Sequence, residues 1–353
     1  MLDRRRKALL LSRNIDRLAD VLDLPTLLST AISSSSSTAA ASTSQAGSAT
    51  LNYASALDLN AHIRRLYALY PDSKLVSSVS SQAEDAMQEM ATNLIASLKA
   101  NSLKLASAMR TISWLRRVAP ELDTGPFLTS TPGAGTGTGS GEGSLGSLFL
   151  VCRLANLEQM LSALEPLREL ADQETVRLQS QVGGEGKDVG GRSKWEGGQQ
   201  TERYLKRYIE IFREQSFAII SMYRSIFPPA AAPVDLALPA SLKANQKQDP
   251  LQPLPSALGT FPLKLVSMLE DTLRKYLPNV RDRSSRDSLL TQVLYCAGSL
   301  GRLGGDFSMI LAFLNSADEN DDDEAESEEW VEVIRKHRVL AGKLELMVGA
   351  REG

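Results

Sequence analysis

Histidine and cysteine are nearly absent from this chain: its 353 residues hold two of each. A zinc centre gathers three or four such ligands, whereas His62, His337, Cys152 and Cys296 fall on four separate helical patterns. No metal site and no cofactor are therefore expected. The same scarcity leaves no base beside a nucleophile, so catalysis is not expected either. The two cysteines lie within apolar helical stretches and read as buried free thiols rather than a disulfide. A basic excess is also missing. Lys and Arg number 39 against 42 Asp and Glu, a net charge of -3, where a nucleic-acid binder would present a basic face. No apolar run reaches the roughly 18 residues that cross a bilayer. There is no Asn-x-Ser/Thr sequon, and Arg4 to Lys7 run straight into a helical pattern with no signal-peptide core. The expected location is the cytosol or the cytosolic face of a membrane. Aromatics make up only 5%, and the period-two alternation of strands appears over no useful length. The expected fold class is all-α.

What is present is a series of helical patterns separated by low-complexity segments. Leu10, Leu11, Ile15, Leu18, Val21 and Leu22 share one side of a helix over 2–24. Pro25 suits the first turn of a second helix to residue 32. Arg4, Arg5, Arg6 and Lys7 read as a solvated helix face in preference to a localisation signal. Residues 33–50 are a Ser/Ala/Thr tract expected to stay disordered. A helix follows over 52–70, ended by Pro71. From residue 72 or 73 to 118, Val76, Val79, Ala83, Met87, Met90, Leu94 and Leu98 recur at steps of three and four, and Leu105, Met109 and Ile112 continue them. One helix of about 45 residues would be a rod of roughly 65 Å.

Residues 123–144 form a Gly/Thr/Ser linker. Leu150, Leu154, Leu157, Leu161 and Leu164 then keep a strict four-three alternation over 148–181. Such a seam is satisfied by its own bundle or by a partner, with its own bundle preferred. Residues 183–198 are a second glycine linker. Its Gly-Glu-Gly-Lys-Asp lacks the hydroxyl and the preceding strand of a phosphate loop. Thr201 is expected to cap a helix to residue 227 whose inward face includes Tyr204, Tyr208, Ile211, Ala218, Met222 and Ile226. Without surrounding positive charge, Tyr204 and Tyr208 read as core and not as a base-stacking surface. Residues 228–256 are Pro/Ala-rich and flexible. A helix over 261–277 carries Leu265, Met268, Leu269, Leu273 and Tyr276, and is the nearest match to a membrane-lying helix, though with few cations. Within the acidic linker 318–328 several carboxylates match a calcium loop, but Asp323 stands where glycine is required. A last amphipathic helix is expected within 329–353.

The chain is expected to be organised around residues 281–314. Leu289, Leu290, Val293, Leu294, Ala297 and Leu300 line one side of a helix there. Ser284 and Asp287 resemble a capping box, and Asp282/Arg286 and Arg283/Asp287 are spaced as i,i+4 pairs. Gly301, Gly304 and Gly305 mark a corner, after which Asp306 can cap a short apolar segment over 307–314. Asp282, Arg283, Arg286, Asp287, Gly301, Gly304, Gly305 and Asp306 are thus the candidate structural and assembly residues.

That run, with residues 53–66 (YASALDLNAHIRRL) and 213–227 (REQSFAIISMYRSIF), resembles in the same order the eighth-subunit family of the conserved oligomeric Golgi (COG) tethering complex. The resemblance covers most of residues 2–313 and rests on packing sequences, so it marks no site. It implies an elongated helical-bundle rod, divided here into a segment over 1–122, a bundle over 145–317 and a C-terminal helix. It implies a non-catalytic subunit on the cytosolic side of the Golgi, assembling with subunits five, six and seven and bridging to subunit one. SNARE and Rab proteins would lie nearby, with retrograde intra-Golgi transport of glycosylation enzymes as the outcome. Members of the family carry a further helical region upstream, so the chain is expected to start inside the family's full length.

Overall fold

The computed structural model describes residues 2–39, 46–122, 143–182, 198–228, 256–303, 331–340 and 342–343. The described residues are helices, turns and connecting segments with no strand, so the chain is all-α. It divides into two compact units, one holding residues up to the first turn of the fifth helix and the other running from Gly146 onward.

The first unit contains α1 (Leu2–Ala39), α2 (Ala46–Leu69), α3 (Lys74–Leu98) and α4 (Leu105–Val118). α1, α2 and α3 pack against one another, and α4 packs back on α3. Leu28 and Ile32 of α1, Ala56 and Ile63 of α2, and Ala83 and Met90 of α3 are almost fully buried. Tyr53 meets Trp114 of α4 at 5.8 Å between rings.

Three expectations change here. Pro25 does not start a second helix; it sits buried inside a continuous α1. The Ser/Ala/Thr tract is helical at both of its ends, 33–39 and 46–50. Ser34 Oγ accepts a hydrogen bond from Asn52 Nδ2 at 3.1 Å, tying the two helices together. The 45-residue rod is two helices. Lys99 caps α3, its N–H reaching the carbonyls of Ala96 and Ser97. Asn101 and Ser102 form the turn, both residues that compete with helix by bonding locally. Ser73 caps the start of α3 through Val76 N.

The second unit is built on α7 (Gln199–Ile226), surrounded by α5 (Gly143–Ser162), α6 (Glu165–Val182), α8 (Ser256–Tyr276) and α9 (Arg283–Gly301). A further helix, α10, covers 331–340. Along α7, Tyr204, Leu205, Tyr208, Ile209, Phe212, Ile219, Ile220 and Tyr223 are all buried. That is far wider than the one stripe a helix shows when it covers a bundle from outside. This helix, and not the 281–314 stretch, is the hub: α6, α8 and α9 all pack on it. The seam over 148–181 is broken at Ala163 and Leu164, just before Pro166. Leu150, Leu157 and Leu164 are buried within the chain itself. Phe149 of α5 lies 6.4 Å from both Tyr223 and Phe227.

Candidate assembly surfaces

A well-connected polar site joins α6, the start of α7 and the end of α8. Gly198 precedes α7 with φ of 103°, a left-handed conformation that glycine adopts without penalty. A Cβ added there would lie 2.7 Å from the carbonyl oxygen of Asn279 and 3.2 Å from Val280 Cα. Two backbones therefore pass close enough that only glycine fits. The open N–H groups of α7 point to one carboxylate. Glu174 Oε1 accepts from Gly198 N at 2.7 Å, and Oε2 accepts from Thr201 N and Thr201 Oγ1, each at 2.8 Å. Thr201 was expected to cap this helix; it is fully buried inside it and donates to the cap.

Beside this cap, Asn279 Nδ2 donates to Thr175 Oγ1 at 2.8 Å. Tyr276 OH donates to Asp172 Oδ1 at 2.9 Å, and Lys275 Nζ reaches the same oxygen at 2.9 Å. Burial pushes the Asp172 carboxyl up, but the bonds from Lys275 and Tyr276 outweigh it and hold the group below the usual carboxylate range. Tyr276 also meets Tyr204 edge to face at 5.0 Å. Tyr208 stacks on Phe212 and donates to the Met268 carbonyl at 3.2 Å. Burial raises the Tyr204 hydroxyl well above its ordinary titration range and also pushes the Tyr208 hydroxyl up. Both rings are core, as their sequence setting indicated. The arrangement fixes helices and offers no reacting group.

A second site joins α9 to α10 and contains half of the residues singled out in the sequence. Asp282, and not Ser284, caps α9: its Oδ2 accepts from Ser285 N at 3.0 Å and Ser285 Oγ at 2.8 Å. Those bonds hold its carboxyl below the usual range. Arg283 and Asp287 do not close on each other. Arg283 reaches Glu332 at 3.0 Å, and Asp287 receives Lys336 at 2.8 Å, so both charges reach across to α10. Between them His337 packs edge to face on Tyr295 at 4.7 Å, and Val333 is fully buried. Arg286 is half-buried on α9. Gly301 is the last residue of α9, followed by the cap at Arg302. Gly304, Gly305 and Asp306, the segment 307–314 and the acidic linker lie outside the described residues.

Sequence reasoning missed Glu174, Thr175, Asp172 and Asn279. Glu174 was hidden by distance: its partners are 24 and 27 residues on, beyond a glycine-rich segment. Gly198 carried the one available signal, a glycine immediately before a periodic apolar stretch.

Among the described residues no three His, Cys, Asp or Glu side chains cluster as metal ligands. None of the described helices is long and apolar enough to cross a membrane. Both cysteines are buried, and burial pushes the Cys296 thiol up to about 12, which keeps it unreactive. Residues 261–276, the nearest match to a membrane-lying helix, turn their apolar side inward: Leu265, Leu269, Leu273 and Tyr276 of α8 are buried.

The chain is similar to conserved oligomeric Golgi complex subunit 8 of Schizosaccharomyces pombe, at 24% identity over 345 residues. That match covers 93% of this chain and 70% of the yeast protein. Subunit 8 of Bos taurus is 24% identical over 316 residues, 86% of this chain and 36% of its own. Human subunit 8 is 28% identical over 116 residues, 33% of this chain and 16% of its own. No solved structure matches it significantly. The Dor1-like family profile matches residues 1–204 and 192–317, and the chain belongs to the Dor1-like family.

Proposed function

We propose that this chain is a non-catalytic subunit of a Golgi vesicle-tethering complex. It works by holding other subunits in place, and its chemistry is that of helix packing. The observation that carries this reading is the match to subunit 8 of the fission-yeast complex along 93% of the chain. The nature of the polar sites agrees with it. Glu174, Asp172 and Asn279 are committed to joining helices of the same unit, and His337 is committed to a ring contact with Tyr295. In this reading the partners are subunits five, six, seven and one. SNARE and Rab proteins act nearby, and the protein sits peripherally on the cytosolic face of the Golgi membrane. Its outcome is retrograde intra-Golgi transport that keeps glycosylation enzymes in place.

Co-expression with each of those four subunits, followed by affinity capture of this chain, tests the proposal. A stoichiometric complex with at least one of them is the expected result. Recovery of the chain alone in all four cases would overturn it.

A further inference from the structure

The first twenty residues of α1 leave the bundle. Pro25, Leu28 and Ile32 are buried, and α1 packs on both α2 and α3. On the same side of the helix, Leu10, Leu11, Ile15, Leu18 and Leu22 are each more than half exposed, between 51% and 65%. At 100° per residue these five fall within an arc of about 140°, broader than the narrow line of a two-helix seam, with Asn14 the one polar residue of 8–22 inside it. Five large apolar side chains held in water on one face is unusual for a surface helix and marks a binding face.

The charge on this segment identifies the occupant. Residues 3–22 carry Arg4, Arg5, Arg6, Lys7, Arg13 and Arg17 against Asp3, Asp16 and Asp20, so the segment is net positive in a chain of net charge -3. All nine of these side chains are exposed. Arg6, Arg13 and Arg17 lie together on the flank of the apolar arc, at about 240°, 220° and 260° on the same wheel. Long cationic side chains at an apolar boundary extend their heads to lipid phosphates while their stems stay on the apolar side. A partner helix would use the cations nearest the seam; a charged plane uses the flank and the end together.

We propose that the N-terminal half of α1 is a docking face for an anionic membrane surface, lying in the headgroup region with Leu11, Ile15, Leu18 and Leu22 inserted. The assignment differs from the sequence expectation, which put the nearest membrane-lying helix at α8. It stands apart from the scaffold reading, because membrane docking and subunit retention are measured separately.

The test is flotation of the full chain with phosphatidylcholine vesicles, with and without phosphatidylserine. Two variants accompany it: Ile15→Glu with Leu18→Glu, and Arg4, Arg5, Arg6 and Lys7 all changed to Gln. Every altered side chain is exposed, so helix content and melting should match the parent. The parent is expected to float only with phosphatidylserine vesicles, and less so as salt rises. Each cation near an anionic surface adds about 1 kcal/mol, so the quadruple variant should partition roughly a hundred- to a thousandfold less. The double Glu variant should not float. Absence of parent flotation overturns the proposal, as does flotation that neither variant weakens. If the parent does not float and instead self-associates, or holds a co-expressed subunit, in a manner the double Glu variant abolishes, the face belongs to a protein.

Discussion

Glu174 on α6 holds the first turn of α7 through Thr201, which gives it both a backbone N–H and a hydroxyl at 2.8 Å. The other carboxylate oxygen takes Gly198 N at 2.7 Å. The first turn of a helix normally leaves its N–H groups to solvent or to a local cap. Here a side chain from another helix supplies the cap, so the start of the hub helix and the packing of α6 on α7 depend on one group. Glu174→Ala should cost about 2–3 kcal/mol, since it leaves buried donors without an acceptor. Glu174→Gln keeps one oxygen and should cost less. Urea unfolding of the two variants checks the order.

Gly198 and Gly298 should respond in opposite directions to the same substitution. Gly198→Ala forces a side chain into positive φ and against the Asn279 carbonyl, and should destabilise by more than about 2 kcal/mol. Gly298 lies exposed inside α9 with open space where its Cβ would be. Gly298→Ala should stabilise by about 0.5–1 kcal/mol through helix propensity. Paired melting curves decide it.

The docking of α10 should weaken in mild acid. Burial lowers the His337 pKa below its ordinary value of 6.5. A histidine favoured neutral in the docked state stabilises docking above its free pKa. That stabilisation is lost as pH falls, because the released helix binds the proton first. Lys336 is raised by its bond to Asp287, so its contribution is lost only at alkaline pH. Asp282 is lowered by Ser285 and loses its contribution only in stronger acid. Amide exchange over 331–340 should therefore speed up between about pH 7 and pH 5.5, relative to its intrinsic rate. His337→Phe should remove the dependence.

The ion pairs across α9 and α10 should matter less than the buried Val333. Arg283 and Lys336 are more than half exposed, and solvent screens pairs of that kind so that they contribute little. Val333 is fully buried. Val333→Asp should free the helix to proteolysis while the rest of the unit melts as before. Asp287→Asn should leave it docked. Limited proteolysis with mass analysis of the C-terminal fragment separates the two.

Much of this architecture was legible in the sequence, and the losses have identifiable causes. The faces of α3 and α9 follow from apolar spacing, because a helix that buries one side must repeat every three or four residues; on α7 the spacing marked Tyr204, Tyr208 and Ile211, but Ala218, Met222 and Ile226 are only half-buried. The break after Leu98 was missed because the spacing keeps its phase from Leu98 to Leu105, while the turn signal is only Asn101 and Ser102. The break at Ala163 had a stronger mark in Pro166. Asp282 took the cap expected of Ser284, since both are capping residues two positions apart and local sequence does not choose between them. The destinations of Arg283 and Asp287 were illegible for a different reason. Their partners on α10 lie 49 residues away, and charge spacing along one helix reports only local neighbours.

A chain that acts by holding partners should retain them in step with its folded state and nothing else. The direct measurement is capture of co-expressed complex subunits by three forms of the chain: the parent, Gly298→Ala and Gly198→Ala. Subunits retained are scored against the folded fraction of each form. The parent and Gly298→Ala should retain subunits equally, and Gly198→Ala should lose them in proportion to its unfolding. A parent chain that is folded yet retains none of the subunits would contradict it.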